Sequence, residues 1–381
     1  MNILLITPGI NKRFNDNYHA YRYIADNNNV LAISNKENIN KGGRLQTDPE
    51  VEVDGSLVVH RVFNSMREQQ SFFRRLPYKK KVKSLVSEFR PDVIFCEEIS
   101  NLKFALEIKR KFKVPIVLRT EFAFDANYPY RSMGRLLQVF KNPLIGDRLA
   151  ILVGGLIWRW AYANADAVIS CYYEDAPKQP EVNNTPFYYV PWPSYIPNIE
   201  GKVTRVKGRA VFIGAFDPHK NLSELLFTIP QLLLESPLEE FCVVGTGEDL
   251  GVIEQLKASY PDSIRHFQSL SREECLKLIR DSFFSYSPAT RGGWGFIGDS
   301  WAMGTPVVAT HNHYGFCDKL DSVVTSPEDI VNRVKELYEN ETEFERVRDG
   351  GHKRFLENHT AEAVGSRFLE ICTLAVKRSK K

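Results

Sequence analysis

Residues 287–310 read SPATRGGWGFIGDSWAMGTPVVAT: a strand end, a glycine-rich loop, the opening of a helix, a Gly-Thr-Pro stop and a second strand. A loop that leaves a strand and opens a helix presents successive N–H groups to a diphosphate. The partial positive charge of the helix start favours an anion there. Arg291, Gly293, Trp294 and Gly295 fall in that loop. Asp299, one turn into the helix, is placed to accept hydrogen bonds from ribose hydroxyls. A lone G-x-G carries little weight, whereas the whole ordered unit is specific.

Upstream, VFIGAFDPHKN (residues 211–221) runs a strand through Gly214 into a loop that puts Lys220 at the start of a helix. VVGTGE (residues 243–248) ends a strand on Gly245 and Gly247, where a ring or phosphate can approach the backbone, although a plain strand-to-helix turn reads the same way. Short β-branched runs alternate with helical periods along the whole chain. The expected strands are 2–7, 29–34, 57–63, 92–96, 115–119, 167–171, 210–213, 241–244, 264–267, 283–287, 306–310 and 323–325. Ser271-Arg-Glu-Glu274 reads as a capping box for the helix that follows. The fold class is therefore α/β, with two Rossmann-like, doubly wound domains and helices on both faces of each parallel sheet.

The 381 residues suit two domains, and 43% hydrophobic with 25% charged residues supports two cores. The expected division is 1–190, a linker at 191–205 rich in proline, 206–351, and a C-terminal helix at 352–381 crossing back to the first domain. The natural ligand site of such a pair is the cleft between the domains. A net charge of +3 gives no argument for nucleic acid. The six cysteines are scattered singly, as buried free thiols of a reducing compartment are. The N-terminal apolar run is too short for a signal peptide, and the longest apolar stretch falls far short of the ~20 residues that span a bilayer. The expected location is cytoplasmic.

The second half resembles the donor-nucleotide domain of retaining GT-B glycosyltransferases, specifically glycosyltransferase family 4. Its motifs appear here as IGAFDPHKN, VGTGED and SPATRGGWGFIGDSWAMGTPVVAT, within residues 208–312. The resemblance implies that Lys220, Gly293 and Gly295 hold the diphosphate and that Asp299 replaces the family's ribose-binding glutamate. Gly214, Gly245, Gly247 and Trp294 complete the expected donor set. Two positions depart from the family: Ala215 stands where a phosphate-binding arginine is usual, and Arg291 or Gly292 stands where the first glutamate of the motif belongs.

In the first half, Glu121 leaves a strand where family members often carry a histidine near the reacting sugar. With Lys220 and Arg291 it forms the expected catalytic set. Gly9, Asn11, Glu97, Glu98 and Arg119 are the expected acceptor-side residues, with Asn11–Arg13 closing over the phosphates. The resemblance implies transfer of a sugar from a UDP- or GDP-linked donor, with retention, to a glycan, a lipid-linked glycan or another hydroxyl. Nucleic acid, not indicated by charge, stays open as an acceptor. No D-x-D occurs, so no metal and no cofactor beyond the substrate is expected. His311 and His313 lack a third ligand by spacing. Six cations within Arg74–Lys83 suit either a solvated helix face or an anionic membrane surface, which would make the protein peripheral to the inner face of a membrane. Two alternatives remain: a GT-B-fold sugar-nucleotide epimerase or hydrolase, and a nucleotide-sugar-binding or scaffold protein without turnover.

Overall fold

The structure, a computed structural model, describes residues 1–11, 16–39, 45–47, 49–120, 159–171, 185–290, 294–311, 317–318 and 320–380. These residues form two units, Met1–Pro191 with Val364–Lys381, and Trp192–Ala363.

The first unit is built on an eight-stranded sheet in the order Phe187–Tyr189, Ala167–Ser170, Ile116–Thr120, Val93–Glu97, Asn2–Ile6, Asn29–Asn35, Leu57–Phe63, Val51–Asp54. All neighbours pair in parallel except the edge strand Val51–Asp54. Every residue of Val93–Glu97 and of Ile116–Thr120 is buried, as the middle of a sheet covered on both faces requires. Strand alternation divides the interior into two cores. Ile3, Leu5, Phe95 and Val117 face helices Asp16–Ala25 and Ala361–Ser379 through Tyr21, Phe368 and Ile371. Leu4, Ile6, Ile94 and Leu118 face helices Lys79–Phe89 and Ile99–Phe112 through Val82, Val86, Phe104 and Ile108.

The second unit carries six strands, all parallel, in the order Ile264–Phe267, Glu240–Val244, Val206–Ile213, Ser282–Ser287, Val307–Ala309, Val323–Val324. Phe212, Phe241, Phe284 and Tyr286 anchor its core against Leu225, Ile229, Ile279 and Val334. The capping box forms as expected: Ser271 accepts from Glu274 N–H, and the Glu274 carboxylate accepts from Ser271 N–H at 2.8 Å. All six cysteines are free thiols, five of them buried.

Two segments depart from the sequence reading. Residues 191–205 have no regular structure, yet Ser194 is buried within the second unit. The expected start of the C-terminal crossing at residue 352 falls inside the helix Glu341–Asn358. The crossing helix begins instead at Ala361, where the Thr360 hydroxyl accepts the Ala363 N–H at 3.1 Å in the manner of an N-cap.

A Gly-Gly pair ordinarily weakens a helix, but Gly350 and Gly351 are required in theirs. A Cβ on Gly350 would lie 1.8 Å from Leu320 O, and one on Gly351 would lie 2.4 Å from Trp301 Cδ1. Gly251, near the start of helix Leu250–Ser259, has open space around its Cβ position. Gly350→Ala is therefore expected to cost about 1–3 kcal/mol of stability through overpacking. Gly251→Ala should be neutral or stabilising by up to about 1 kcal/mol. Urea midpoints of the two variants check this, and equal shifts would mean that the close approach at Gly350 is not what the helix depends on.

Candidate nucleotide-sugar site

In a doubly wound sheet, ligands gather beyond the carboxyl ends of the strands where the strand order reverses. That point lies between Asn2–Ile6 and Val93–Glu97 in the first unit, and between Val206–Ile213 and Ser282–Ser287 in the second.

At the first point, the loop after Ile6 is fixed from several sides. The Thr7 hydroxyl donates to Gly9 O at 2.9 Å, Gln69 Nε2 donates to Thr7 O at 2.7 Å, and Arg61 Nη2 donates to Ile10 O at 2.9 Å. Asn35 Nδ2 donates to Pro8 O. Gly9 and the buried Asn11 lie on this loop, beyond the carboxyl end of Asn2–Ile6. Lys12 and Arg13 lie outside the described residues.

Glu97 does not stand open toward an acceptor. It is paired in register with Arg119 on the neighbouring strand, so both side chains leave the same face of the sheet. Its carboxylate accepts from Arg119 Nη1 at 3.0 Å and from the Tyr21 hydroxyl, and both ends of the ion pair are buried. The Arg119 guanidinium lies 5.5 Å from the centroid of the Phe368 ring. This pair therefore joins the sheet to the last helix. Glu98 adopts φ 70° before helix Ile99–Phe112 and is partly exposed. Glu121 lies outside the described residues.

At the second point, Gly214 ends the first strand of its unit. A Cβ there would lie 3.9 Å from Lys220 Cε, so the lysine stem crosses the strand end. Lys220 ends a 3-10 turn, Pro218–Lys220, that Asp217 caps, and is not at the start of helix Leu225–Glu235. Thr290, on the loop after Ser287, donates its N–H to His219 O at 3.1 Å and ties that loop to the lysine turn.

Gly245 (φ 147°) and Gly247 (φ 154°) serve the protein's own packing: added Cβ atoms would lie 1.9 Å from Gly214 O and 2.4 Å from Phe216 O. Gly295 is different. A Cβ there meets nothing within 4 Å among the described residues, so no described neighbour demands the glycine at the start of helix Trp294–Ala302. Arg291 and Gly293 lie outside the described residues.

Trp294, expected to face the donor, is buried. Its ring stacks on His359 at 3.9 Å and meets Trp301 edge-on at 5.6 Å. Gly298, one turn on, leaves the room that this indole fills. Asp299 is also engaged within the unit. Arg272 holds the carboxylate by two contacts, one of them Nη2 to Oδ1 at 2.7 Å, and the Ser194 hydroxyl donates to Oδ1 at 2.9 Å. Arg272 Nη2 also reaches Tyr195 O at 3.2 Å. Arg272 stood inside the capping box, but its spacing from Asp299 gave no sign of the pair.

A second group unforeseen from sequence surrounds Glu224. Its carboxylate accepts from the Tyr286 hydroxyl at 2.7 Å, from Asn221 Nδ2 at 2.9 Å, from His311 Nε2 at 2.8 Å and from Thr310. Burial and the Glu224 charge push the Tyr286 phenol well above its ordinary range, so it remains a donor. His311 is therefore a partner of Glu224, and His313 lies outside the described residues. Among the described residues no group of three or more His, Cys, Asp or Glu is placed to hold a metal ion.

The basic cluster is also less uniform than it reads. Arg75 is buried and pairs with Glu107 at 2.7 Å, and Lys81 pairs with Glu50. Arg74, Lys79, Lys80 and Lys83 remain exposed. No described helix is long and apolar enough to cross a membrane.

Residues 207–340, most of the second unit, match the family described as Glycosyl transferases group 1. The chain is 22% identical over 194 residues to the uncharacterized glycosyltransferase YqgM of Bacillus subtilis (strain 168), a match covering 48% of this chain and 54% of that one. The chain thus spans about half the length of the curated relative it matches.

Among solved structures, sucrose-phosphate synthase from Thermosynechococcus elongatus superposes with a TM-score of 0.69 at 14% identity, covering 98% of both chains. An α,α-trehalose-phosphate synthase from Burkholderia xenovorans, in complex with glucose-6-phosphate, gives 0.67 at 12%, covering 97% of this chain and 100% of that one. The E. coli trehalose-6-phosphate enzyme bound with UDP-2-fluoro glucose gives 0.67 at 10%, covering 97% and 98%. The fold is GT-B.

His359 supplies a pH test of this part of the unit. Burial lowers its imidazole from 6.5 to about 3, and its Nδ1–H donates to Trp192 O at 2.9 Å. Between those two values the unfolded chain takes up a proton that the folded unit refuses. The stability contributed is present above pH 6.5 and declines as pH falls toward 3, by up to about 1.4 kcal/mol per pH unit. His359→Phe keeps a ring against Trp294 and removes the titration. Urea unfolding at pH 7, 6 and 5 should show a flatter decline in the variant, and parallel declines would falsify the assignment.

Proposed function

We propose that the protein is a glycosyltransferase that moves a sugar from a nucleoside-diphosphate sugar to an acceptor hydroxyl. The observation that supports this most strongly is the Glycosyl transferases group 1 match, which falls on the unit that carries Gly214 beside the Lys220 stem and helix Trp294–Ala302 after the neighbouring strand. In this reading the departing diphosphate is met by the Lys220 ammonium and by backbone N–H groups at the start of that helix, Gly295 among them. Arg291 adds a second cation, and Glu121 orients the acceptor or stabilises charge at the anomeric carbon.

A UDP-linked donor is the first choice, because one structural neighbour is bound with UDP-2-fluoro glucose. The acceptor of first choice is a sugar phosphate, since another neighbour is in complex with glucose-6-phosphate. A glycan or a lipid-linked glycan is the next choice. The resemblance further supports retention and a metal-independent reaction. The exposed cations of the Arg74–Lys83 cluster suit a cytoplasmic protein that rests on an anionic membrane surface.

The role of Asp299 changes in this reading. Its carboxylate already serves Arg272 and Ser194, so it positions the site helix, and any ribose contact uses an oxygen lone pair that these partners leave. The His311–Glu224 pair favours one alternative: it provides an acid–base couple near Lys220 for hydrolysis or epimerisation of a sugar nucleotide.

The deciding experiment is thermal unfolding with UDP, GDP, dTDP and their sugars, with NAD as a control, with and without magnesium. UDP at ~100 times its dissociation constant should add ~2.7 kcal/mol of stability. The shift should shrink in Lys220→Ala and be indifferent to magnesium. Asp299→Asn should melt early without any nucleotide. No shift with any nucleotide would sink the reading. Product analysis of a turned-over UDP-sugar by NMR then separates transfer with retention from hydrolysis or epimerisation.

A further inference from the structure

Between helices Lys79–Phe89 and Ile99–Phe112 the first unit holds a cavity of about 110 Å³. Its walls are apolar: Phe63, Val82, Val86, Phe104, Ile108 and Phe112. Its mouth is not. Lys79, Lys83 and Lys111 stand at the rim with no ion pair among the described residues, because the one carboxylate there, Glu107, is taken by Arg75 at 2.7 Å. Two of these ammonium groups crowd each other: Lys111 is disfavoured in its charged form, first by desolvation and then by the charge and contact of Lys83. Arg75, 5% exposed, also lines the cavity, and its Nε–H has no hydrogen-bond partner among the described residues. Phe72 and Leu76, 51% and 48% exposed, complete the entrance.

An apolar slot does not attract like charges to its rim, and a buried guanidinium donor without an acceptor is costly. Both features are relieved by the same kind of ligand, one with an apolar tail and an anionic head. The slot is smaller than the ~300 Å³ at which compact ligand pockets begin, so it takes the end of a slender chain and not a drug-sized body. We propose that this cavity binds a single lipid phosphate, its alkyl chain lying between Val82, Val86, Phe104 and Ile108 and its phosphate held by Lys79, Lys83, Lys111 and Arg75. The proposal is independent of the glycosyl-transfer reading, because all of its residues belong to the first unit, whereas Lys220 and the Trp294–Ala302 helix belong to the second.

The test is calorimetric titration of the full chain with dodecyl phosphate below its micelle concentration, beside inorganic phosphate and the uncharged dodecyl maltoside. The expected result is saturable binding of one dodecyl phosphate per chain, with the other two at least about tenfold weaker. Lys83→Glu combined with Lys111→Glu, both on the exposed surface, should weaken dodecyl phosphate by about tenfold or more and leave any UDP thermal shift unchanged. Val82→Trp, which fills the slot, should abolish binding, and its thermal melt reports whether it has folded. Equal affinity in wild type and the charge-reversal variant overturns the proposal. So does inorganic phosphate that binds as well as the amphiphile, or binding to phosphatidylglycerol vesicles without binding of dodecyl phosphate.

Discussion

The second unit depends on how the buried Asp299 carboxylate is satisfied. A carboxylate removed from water is tolerated only with a cation and enough hydrogen bonds, and removing either partner costs far more than a surface contact would. Arg272 supplies the charge and Ser194 a hydroxyl, while Arg272 also reaches Tyr195 O. Ser194 in turn donates its N–H to His359 O at 2.9 Å, and His359 donates to Trp192 O. One connected set of polar contacts therefore fastens the site helix, the neighbouring helix Arg272–Arg280 and both passages of the chain into and out of the unit. The stacked rings of Trp294 and His359 cover it.

The glycines of the site divide by what requires them. Gly245, Gly247 and Gly298 are fixed by the approach of Gly214 O, Phe216 O and the Trp294 indole, so their presence reports how the loops and the helix pack. Gly295 has no such neighbour among the described residues. Two glycines of similar appearance in a motif can thus answer to different demands.

Much of the fold was legible because parallel strands buried on both faces leave continuous apolar runs, as at 93–96, 116–118 and 241–244. Val51–Asp54 escaped notice because it is a four-residue edge strand with neither face buried, and Phe187–Tyr189 because it abuts the proline-rich stretch. The site was legible as an order of loops but not as a set of contacts. Glu97 and Arg119 meet through strand register, Asp299 and Arg272 through helix packing, and Glu224 through three separate elements. No local pattern encodes such pairs. The Gly350–Gly351 pair shows the converse: a local signal for a helix end that tertiary packing overrides.

The placement of the last helix bears on how the chain is made. Phe368, Ile371 and Cys372 of Ala361–Ser379 fill the core beside Phe95 and Tyr21, and Phe368 covers the Arg119 guanidinium. Domains usually fold in the order in which the ribosome delivers them. Here the second unit is one continuous segment and can close as soon as it has emerged, whereas the first unit, begun earlier, waits for residues 364–379 before one face of its sheet is fully covered. During synthesis the part of that sheet's face that the last helix covers stays exposed for the time it takes to translate the whole second unit. The unit translated first is therefore the last to be completed, and it is the one that needs protection in the interval.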